Sequence, residues 1–356
     1  MVGHRLAGST ATWKILAESD KSYSGLVKSS TYDDVDRRLV QALQLDGRMP
    51  FSRIAEVLGV SDQTVARRYT RLRTEGRVRV VASIQPELLG DVTWHVRVQC
   101  KPDGAERLGQ TLALREDTAW VSLTSGGTEI SCSTWAPAGL DSPSLLLSRL
   151  PRTPSVVSMS AHCVMHVFFG GVRGLVLKSG ALTDEQVNAL QPEAPHPIPV
   201  PGEQEPVVLD DGDRRMLAVL GRDARADLAE LAAATGWSQS TARRRLAQLR
   251  ASGAVFLDVE YDHHIYGLSA RVLLWASVAP AELETAGKAM AQHSEVAYVC
   301  ATTGVTNLHA VLLCKDLHSL YTYLTTRVAA LGVRQVETSP IMRAIKGPAT
   351  LRMPAS

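Results

Sequence analysis

Along this chain the hydrophobic positions recur first at helical and then at strand spacing, and the whole series occurs twice. Val35, Leu39 and Leu43 stand four residues apart and predict a helix from Asp33 to Gln44, capped by Asp33 or Asp34. Phe51 to Leu58 has its own helical spacing, and Gly59-Val60 is too short for anything but a tight helix-to-helix corner. Ser61 to Gly76 then predicts another helix, with Ser61 accepting from first-turn N–H groups and Gly76 tolerating the left-handed stop. In it Val65, Tyr69 and Leu72 share one stripe. Gln63, Arg67, Thr70 and Arg71 fall opposite, with Thr64 at the margin. The run VRVVASI after Gly76 is β-branched and suits a wing or a connecting strand.

From Asp91 to about Gly171 the pattern reads strand (VTWHVRVQC), helix (Asp103 to Leu114), two strands joined at Gly126-Gly127, helix (Ser144 to Leu150) and a long strand, VVSMSAHCVMHVFF. This β-α-β-β-α-β order folds into a ferredoxin-like sandwich, two helices on one face of an antiparallel sheet. The second series matches it. RVLLWASVA, Pro280 to His293, EVAYVCATTG, NLHAVLLC, Leu317 to Leu331 and VRQVETSPIMRAI take the same order.

YDDVDRRLV from Tyr32 returns as LDDGDRRML from Leu209, and SDQTVARRYTRLRTEG from Ser61 returns as SQSTARRRLAQLRASG from Ser238. Asp36 and Asp213, Gly59 and Gly236, Arg67 and Arg244, Gly76 and Gly253, and Gly90 and Gly267 all lie 177 residues apart, so a two-part unit is duplicated. The expected fold class is α+β: two (winged) helix-turn-helix domains, each followed by a ferredoxin-like sandwich. The expected divisions are a flexible arm over 1–31, helix-turn-helix 1 over 32–80, ferredoxin-like 1 over 91–171, a linker over 172–207, helix-turn-helix 2 over 208–257 and ferredoxin-like 2 over 268–347. Within that linker, Gln191 to Pro206 is Pro-rich and reads as extended chain, and LTDEQVNAL before it as a short helix.

With 356 residues, 45% hydrophobic and 21% charged, the chain is of ordinary globular composition, and its net charge of +2 hides local asymmetry. Asp34 to Val80 holds ten arginines against six acids, and Asp210 to Leu257 eight against six, so positive charge gathers where a phosphate backbone would be met. The five cysteines lie in apolar strand-like runs without metal-ligand spacing and read as buried thiols of a reducing compartment. No apolar run approaches a membrane span and no signal-peptide core opens the chain, so a cytoplasmic location without membrane contact is expected. No metalloprotease, nucleophile-elbow, P-loop or dinucleotide motif appears, and no cofactor, metal or catalytic residue is expected. His263-His264 read as surface histidines, because neighbours on an extended chain point to opposite sides.

Asp36, Asp46-Gly47-Arg48, Ile54-Ala55, Gly59-Val60-Ser61, Arg68, Leu72 and Gly76 together resemble the leucine-responsive (Lrp/AsnC, feast/famine) transcription regulators. The second copy keeps Asp213, Asp223, Arg225, Leu231-Ala232, Gly236-Trp237-Ser238, Arg245, Leu249 and Gly253, but has Ala224 for the glycine. The resemblance covers about nine-tenths of the chain. It implies a repressor or activator that binds double-stranded operator DNA and responds to an amino acid or related metabolite. It also implies sheet-mediated pairing, as a homo-oligomer or as a pseudo-dimer within one chain.

On the groove faces, Gln63, Thr64 and Arg67, with Ser240, Thr241 and Arg244, are the candidates for base contact, since Arg can fork onto guanine and Gln onto adenine. Ser61 and Ser238 are expected to cap and to offer N–H groups to phosphate, Arg71 to face the groove, and Arg68 and Arg245 to take phosphate or an internal ion pair. Tyr69 reads as core and Trp237 as a plug between helices. The effector turn that the resemblance implies corresponds to Gly126, Thr128 and Glu129 in the first copy and to Gly304, Thr306 and Asn307 in the second. A carboxylate at Glu129 could hold a ligand's ammonium, against a hairpin that only supports assembly. Siroheme decarboxylases resemble this family in fold, so a rival reading is an enzyme using His162, His166 and His309.

Overall fold

A computed structural model describes residues 32–101, 103–137, 145–171, 174–191 and 205–348. The expected arm over 1–31 and most of the Pro-rich stretch lie outside the described residues.

Helices α1 (Asp34–Leu45), α2 (Phe51–Leu58) and α3 (Asp62–Thr74) form the first head. Its chain direction is set at two points. Gly59 takes φ 67° to close α2, and the Ser61 hydroxyl accepts from Thr64 N–H to open α3. Val65, Tyr69 and Leu72 are buried as their stripe predicts. β1 (Val78–Ile84) leads to β2 (Asp91–Cys100), α4 (Ala105–Ala113), β3 (Thr118–Thr124), β4 (Glu129–Pro137), α5 (Leu145–Arg149) and β5 (Val156–Phe169). Next, α6 (Asp184–Leu190), the short helix expected in LTDEQVNAL, packs back on the first head. Gln186 donates to Val57 O, and Arg53 donates to Ala189 O and Gln191 O. The second copy repeats the order with α7 (Asp211–Leu220), α8 (Leu228–Thr235), α9 (Gln239–Ala251), β6 (Val255–Tyr261), β7 (Ala270–Ser277), α10 (Leu283–Gln292), β8 (Val296–Thr302), β9 (Leu308–Cys314), α11 (Leu317–Tyr323) and β10 (Gln335–Ala344). The expected helix over Leu317 to Leu331 is α-helical only to Tyr323 and continues as a π turn and a 3-10 turn. Trp237 packs over Gly212, where even a Cβ would lie 2.0 Å from the ring, so it does plug α7 against the α8–α9 corner.

β1 is neither a free wing nor a lone connector. It pairs antiparallel with β6, and Val81 faces Asp258, its own repeat-mate 177 residues on, so a pseudo-twofold axis crosses this ribbon. The same axis organises the ferredoxin-like halves. Each contributes four strands in the order fourth, first, third, second, and the fourth strand of each pairs with the second of the other, β5 with β8 and β10 with β3. The eight strands close into one barrel, β10-β3-β4-β2-β5-β8-β9-β7. Closure leaves no free edge on either sheet.

Strand alternation gives each sheet two faces. Val96, Val98 and Cys100 of β2 face α4 with Leu108 and Leu112, while Val272, Leu274 and Ala276 of β7 face α10 with Ala286 and Met290. The intervening residues point into the barrel.

Candidate nucleic-acid interface and effector cleft

The two heads hold each other through the Asp-Gly-Arg segment and its repeat. Arg48 donates to Ala224 O (2.8 Å) and Ala226 O (2.9 Å) of the second head. Arg225 returns the contact to Gly47 O (2.7 Å) and Met49 O (3.2 Å). Around this exchange, Arg73 pairs with Asp223 at 2.6 Å and Arg250 with Asp46 at 3.2 Å, again repeat-mates of one another. Burial lowers the pKa of both Arg48 and Arg225, and for Arg48 the neighbouring Arg225 and Arg250 add to it. Arg225 also lies 4.3 Å from the Phe51 ring centroid. Gly47 is needed at this seam because a Cβ there would come within 2.5 Å of Val80 Cγ1. In the second copy Ala224 is accommodated, fully buried, with its N–H donating to Val80 O.

Within each head, a buried aspartate of the first helix anchors the third. Asp36 accepts from Arg68 (2.9 Å) and from Arg71 (2.6 Å), whereas Asp213 takes Arg245 on both oxygens (2.8 and 2.6 Å) and Asp210 N–H. Burial alone would raise the Asp213 carboxyl, but Arg245 and the Asp210 N–H hold it below the usual carboxylate range. Arg68 and Arg245 therefore take the internal pairs foreseen as one of their roles. Arg71 departs from expectation. Its guanidinium turns back onto Asp36, although the side chain keeps 44% exposure. Gln63, Arg67, Ser240 and Arg244 are exposed on α3 and α9, while Thr64 and Thr241 are half-buried with hydroxyls 2.9 and 3.0 Å from the cap hydroxyls of Ser61 and Ser238.

The turns singled out as effector loops do not present their side chains as expected. Glu129 is 5% exposed, its Oε1 taking Arg97 Nε at 2.6 Å and its Oε2 taking Thr124, Ser125 and Ser339 hydroxyls. Its oxygens are thus engaged within the protein, which removes it as the ammonium ligand. The group at the opening is instead Glu337 of β10, 49% exposed, which accepts both terminal nitrogens of Arg97 (2.8 and 2.5 Å). That contact raises the Arg97 pKa and lowers that of Glu337. Gly126 (φ 72°) shapes the turn, and Thr128 donates to Ser125 O. A cleft of about 310 Å³ opens here between Arg97, Gln99, Ser125, Thr128, Glu129 and Glu337.

The pseudo-equivalent place in the second copy is occupied. By strand register Trp275 stands where the first copy has Arg97, and it stacks on His309 with ring centroids 3.9 Å apart. The Asn307 amide bonds to Val278 N and O, and Thr306 O accepts from Thr302. His162 seats against the turn, its Nδ1 2.9 Å from Thr303 O, where a Cβ on Gly304 would lie 2.8 Å from the ring. His95 completes the cluster, bonded to Ser133 and to Tyr298. Burial, then His162, pushes the His95 pKa down to about 4, and burial drives His309 well below the usual histidine range. Of the three histidines expected for an enzyme, His162 and His309 thus both pack against Trp275 inside the barrel, while His166 lies exposed against Phe168.

His263 and His264 are not on extended chain. They sit in a 3-10 turn with stacked rings, beside Asp262, and the three ligand atoms lie within 4.8 Å of one another. Asp262 is already held by Arg77 at 2.5 Å. The cysteines are free thiols, buried except for half-buried Cys163. Among the described residues no helix is long and apolar enough to cross a membrane.

The family model for the AsnC-type helix-turn-helix domain matches residues 33–73 and again 209–250, and that for the Lrp/AsnC ligand-binding domain matches 271–351. The chain is 36% identical over 59 residues to the HTH-type transcriptional regulator FL11 of Pyrococcus furiosus, 16% of this chain and only 39% of that protein. To the HTH-type transcriptional regulator LrpA of Pyrococcus abyssi it is 26% identical over 129 residues, 36% of this chain and 92% of the relative. Over the whole architecture it resembles in fold the siroheme decarboxylase NirDL, with a TM-score of 0.57 at 13% identity, covering 90% of this chain and 94% of that one.

Proposed function

Because this chain belongs to the Lrp/AsnC family of helix-turn-helix regulators, we propose that it acts as a sequence-specific operator-binding protein whose two heads serve as a built-in pseudo-dimer. The observation that carries this reading is the reciprocal arginine exchange, which fixes two exposed, non-identical recognition faces about one axis. Gln63 and Arg67 on one face correspond to Ser240 and Arg244 on the other, so the two half-sites differ in sequence. Ser61 and Ser238 hold helix N-termini that offer N–H groups to phosphate. Thr64 and Thr241 border these faces, and Arg68, Arg71 and Arg245 position the helices from behind. An amino acid or related metabolite binds in the barrel and modulates DNA binding.

The test is selection of bound duplexes from a random pool by the full chain at two salt concentrations. The reading predicts a two-part, non-palindromic motif with half-site centres roughly 34–36 Å apart or a multiple of it. The slope of log K against log salt counts the phosphates engaged. No enrichment over competitor overturns it.

The likeness in fold to a siroheme decarboxylase, with His95, His162 and His309 together in the barrel, favours one second reading, an enzyme acting on a carboxylated tetrapyrrole. Titration with an iron porphyrin separates the two: a shifted Soret band with saturable stoichiometry supports the enzyme, and an unchanged band the regulator.

A further inference from the structure

We propose that the chain has a single small-carboxylate site, at the Arg97 end of the barrel, and that Glu337 from the second copy is a tethered competitor occupying it. Its biological consequence rests on the regulator reading; its chemistry does not.

Arg97 is built to receive a carboxylate. It is 13% exposed, its Nε is fixed by Glu129, and Glu129 is fixed in turn by three hydroxyls, so the two terminal nitrogens are aimed before anything binds. The Trp275 ring, 5.3 Å from the guanidinium carbon, backs it. What meets the fork now is the Glu337 carboxylate, bidentate and half exposed, near the exposed start of β10. A ligand carboxylate can take over both hydrogen bonds while Glu337 turns into solvent at modest cost, because a half-exposed carboxylate is already largely hydrated. Glu129, buried and fully bonded, cannot leave on those terms.

Displacement does more than free the arginine. Glu337 stays at the mouth of the cleft as a free carboxylate, the partner an ammonium needs. A small α-amino acid would therefore bind better than its carboxylate or its amine alone. At about 310 Å³ the cleft is at the small end of ligand pockets. Val157, on the same wall and 64% exposed, supplies its apolar side.

The site is single because the pseudo-equivalent place lacks every component. Trp275 replaces Arg97, Asn307 replaces Glu129 and bonds to the backbone of Val278, and His162 closes the turn at Gly304.

The test is calorimetric titration of the full chain at millimolar concentrations with acetate and propionate, with ethylamine, and with glycine and alanine. Wild type should bind alanine with one equivalent per chain, more tightly than propionate, and ethylamine least. Glu337→Gln removes the competing charge and should strengthen propionate roughly tenfold, about 1.4 kcal/mol, while narrowing the advantage of alanine over propionate. Arg97→Lys keeps the charge but loses the fork, and should weaken every carboxylate probe when titrated well below the melting temperature of the variant. Two equivalents per chain, no gain for propionate in Glu337→Gln, or no probe bound by either protein would overturn the proposal. Gel retardation of a selected duplex by the same preparations separates this from the regulator reading. Alanine binding without DNA binding defeats the regulator alone, and DNA binding without any probe bound defeats the site alone.

Discussion

The heads and the barrel interior descend from the same duplication and share one pseudo-twofold axis, yet only the seam between the heads has kept its contacts pair for pair. Arg48 and Arg225, Arg73 and Arg250, and Asp46 and Asp223 make the same contacts in exchange across the axis. In the barrel, Arg97 faces Glu129 and Glu337, while its counterpart by strand register is Trp275, packed with His309 and His162. A surface that must fit its own copy constrains both halves together, whereas the two halves of a lumen inside one chain are free to diverge, one into a cleft and the other into core.

The largest effect expected from this contrast is on acid stability, and it belongs to the filled end. His95 and His309 are kept neutral in the fold, so as pH drops below about 6.5 the unfolded chain takes up protons that the fold does not. Stability is fully present above that pH and is lost as pH falls toward about 4, by roughly 3 kcal/mol for His95 alone. Denaturant titrations between pH 7.5 and 4.5 should show this loss in wild type and a smaller one in His95→Gln. Equal losses in both would remove the buried histidine as the cause.

Next come the anchors behind the recognition helices. Arg245→Ala strips Asp213 of its only ion-pair partner among the described residues and should cost about 3 kcal/mol. Arg68→Ala leaves Asp36 still paired with Arg71 and should cost less. Thermal melts would contradict this reading if the two substitutions were equally harmful.

A smaller and more even effect is expected at the clamp. Arg48→Ala and Arg225→Ala each delete two charge-assisted bonds to carbonyls of the opposite head, about 2 kcal/mol apiece. If the axis governs the heads, the two costs match, and the double variant costs less than both together because each single change already loosens the shared seam. A strongly unequal pair would show that the heads have diverged like the barrel.

Much of this is legible in the sequence. Helical spacing and caps predict α1 to α3, the 177-residue repeat carries them over to α7 to α9, and VVSMSAHCVMHVFF, read as a long strand, is the strand Val156–Phe169. What local pattern could not carry was partnership. VRVVASI has the composition of any edge strand, and nothing within it names VFLDVEY, 177 residues on, as its mate. Arg48 was part of a recognised motif, but its acceptors are backbone carbonyls of another head, which leave no trace in side-chain identity. Glu129 stood at the right turn for a ligand; only the fold shows Arg97 and three hydroxyls already on it, and brings Glu337 from the other copy to the opening. His263 and His264 follow the strand-like run VFLDVEY and so read as extended chain, whereas the structure ends β6 at Tyr261 and turns into a 3-10 helix at His263.

If one chain sets two different recognition faces on one duplex, as proposed, repeating the random-pool selection with Arg67→Ala and with Arg244→Ala should relax base choice in a different half of the motif for each variant, by about 1–3 kcal/mol of discrimination, and leave the other half sharp. Both variants blurring the same positions, or weakening all duplexes alike, would contradict it.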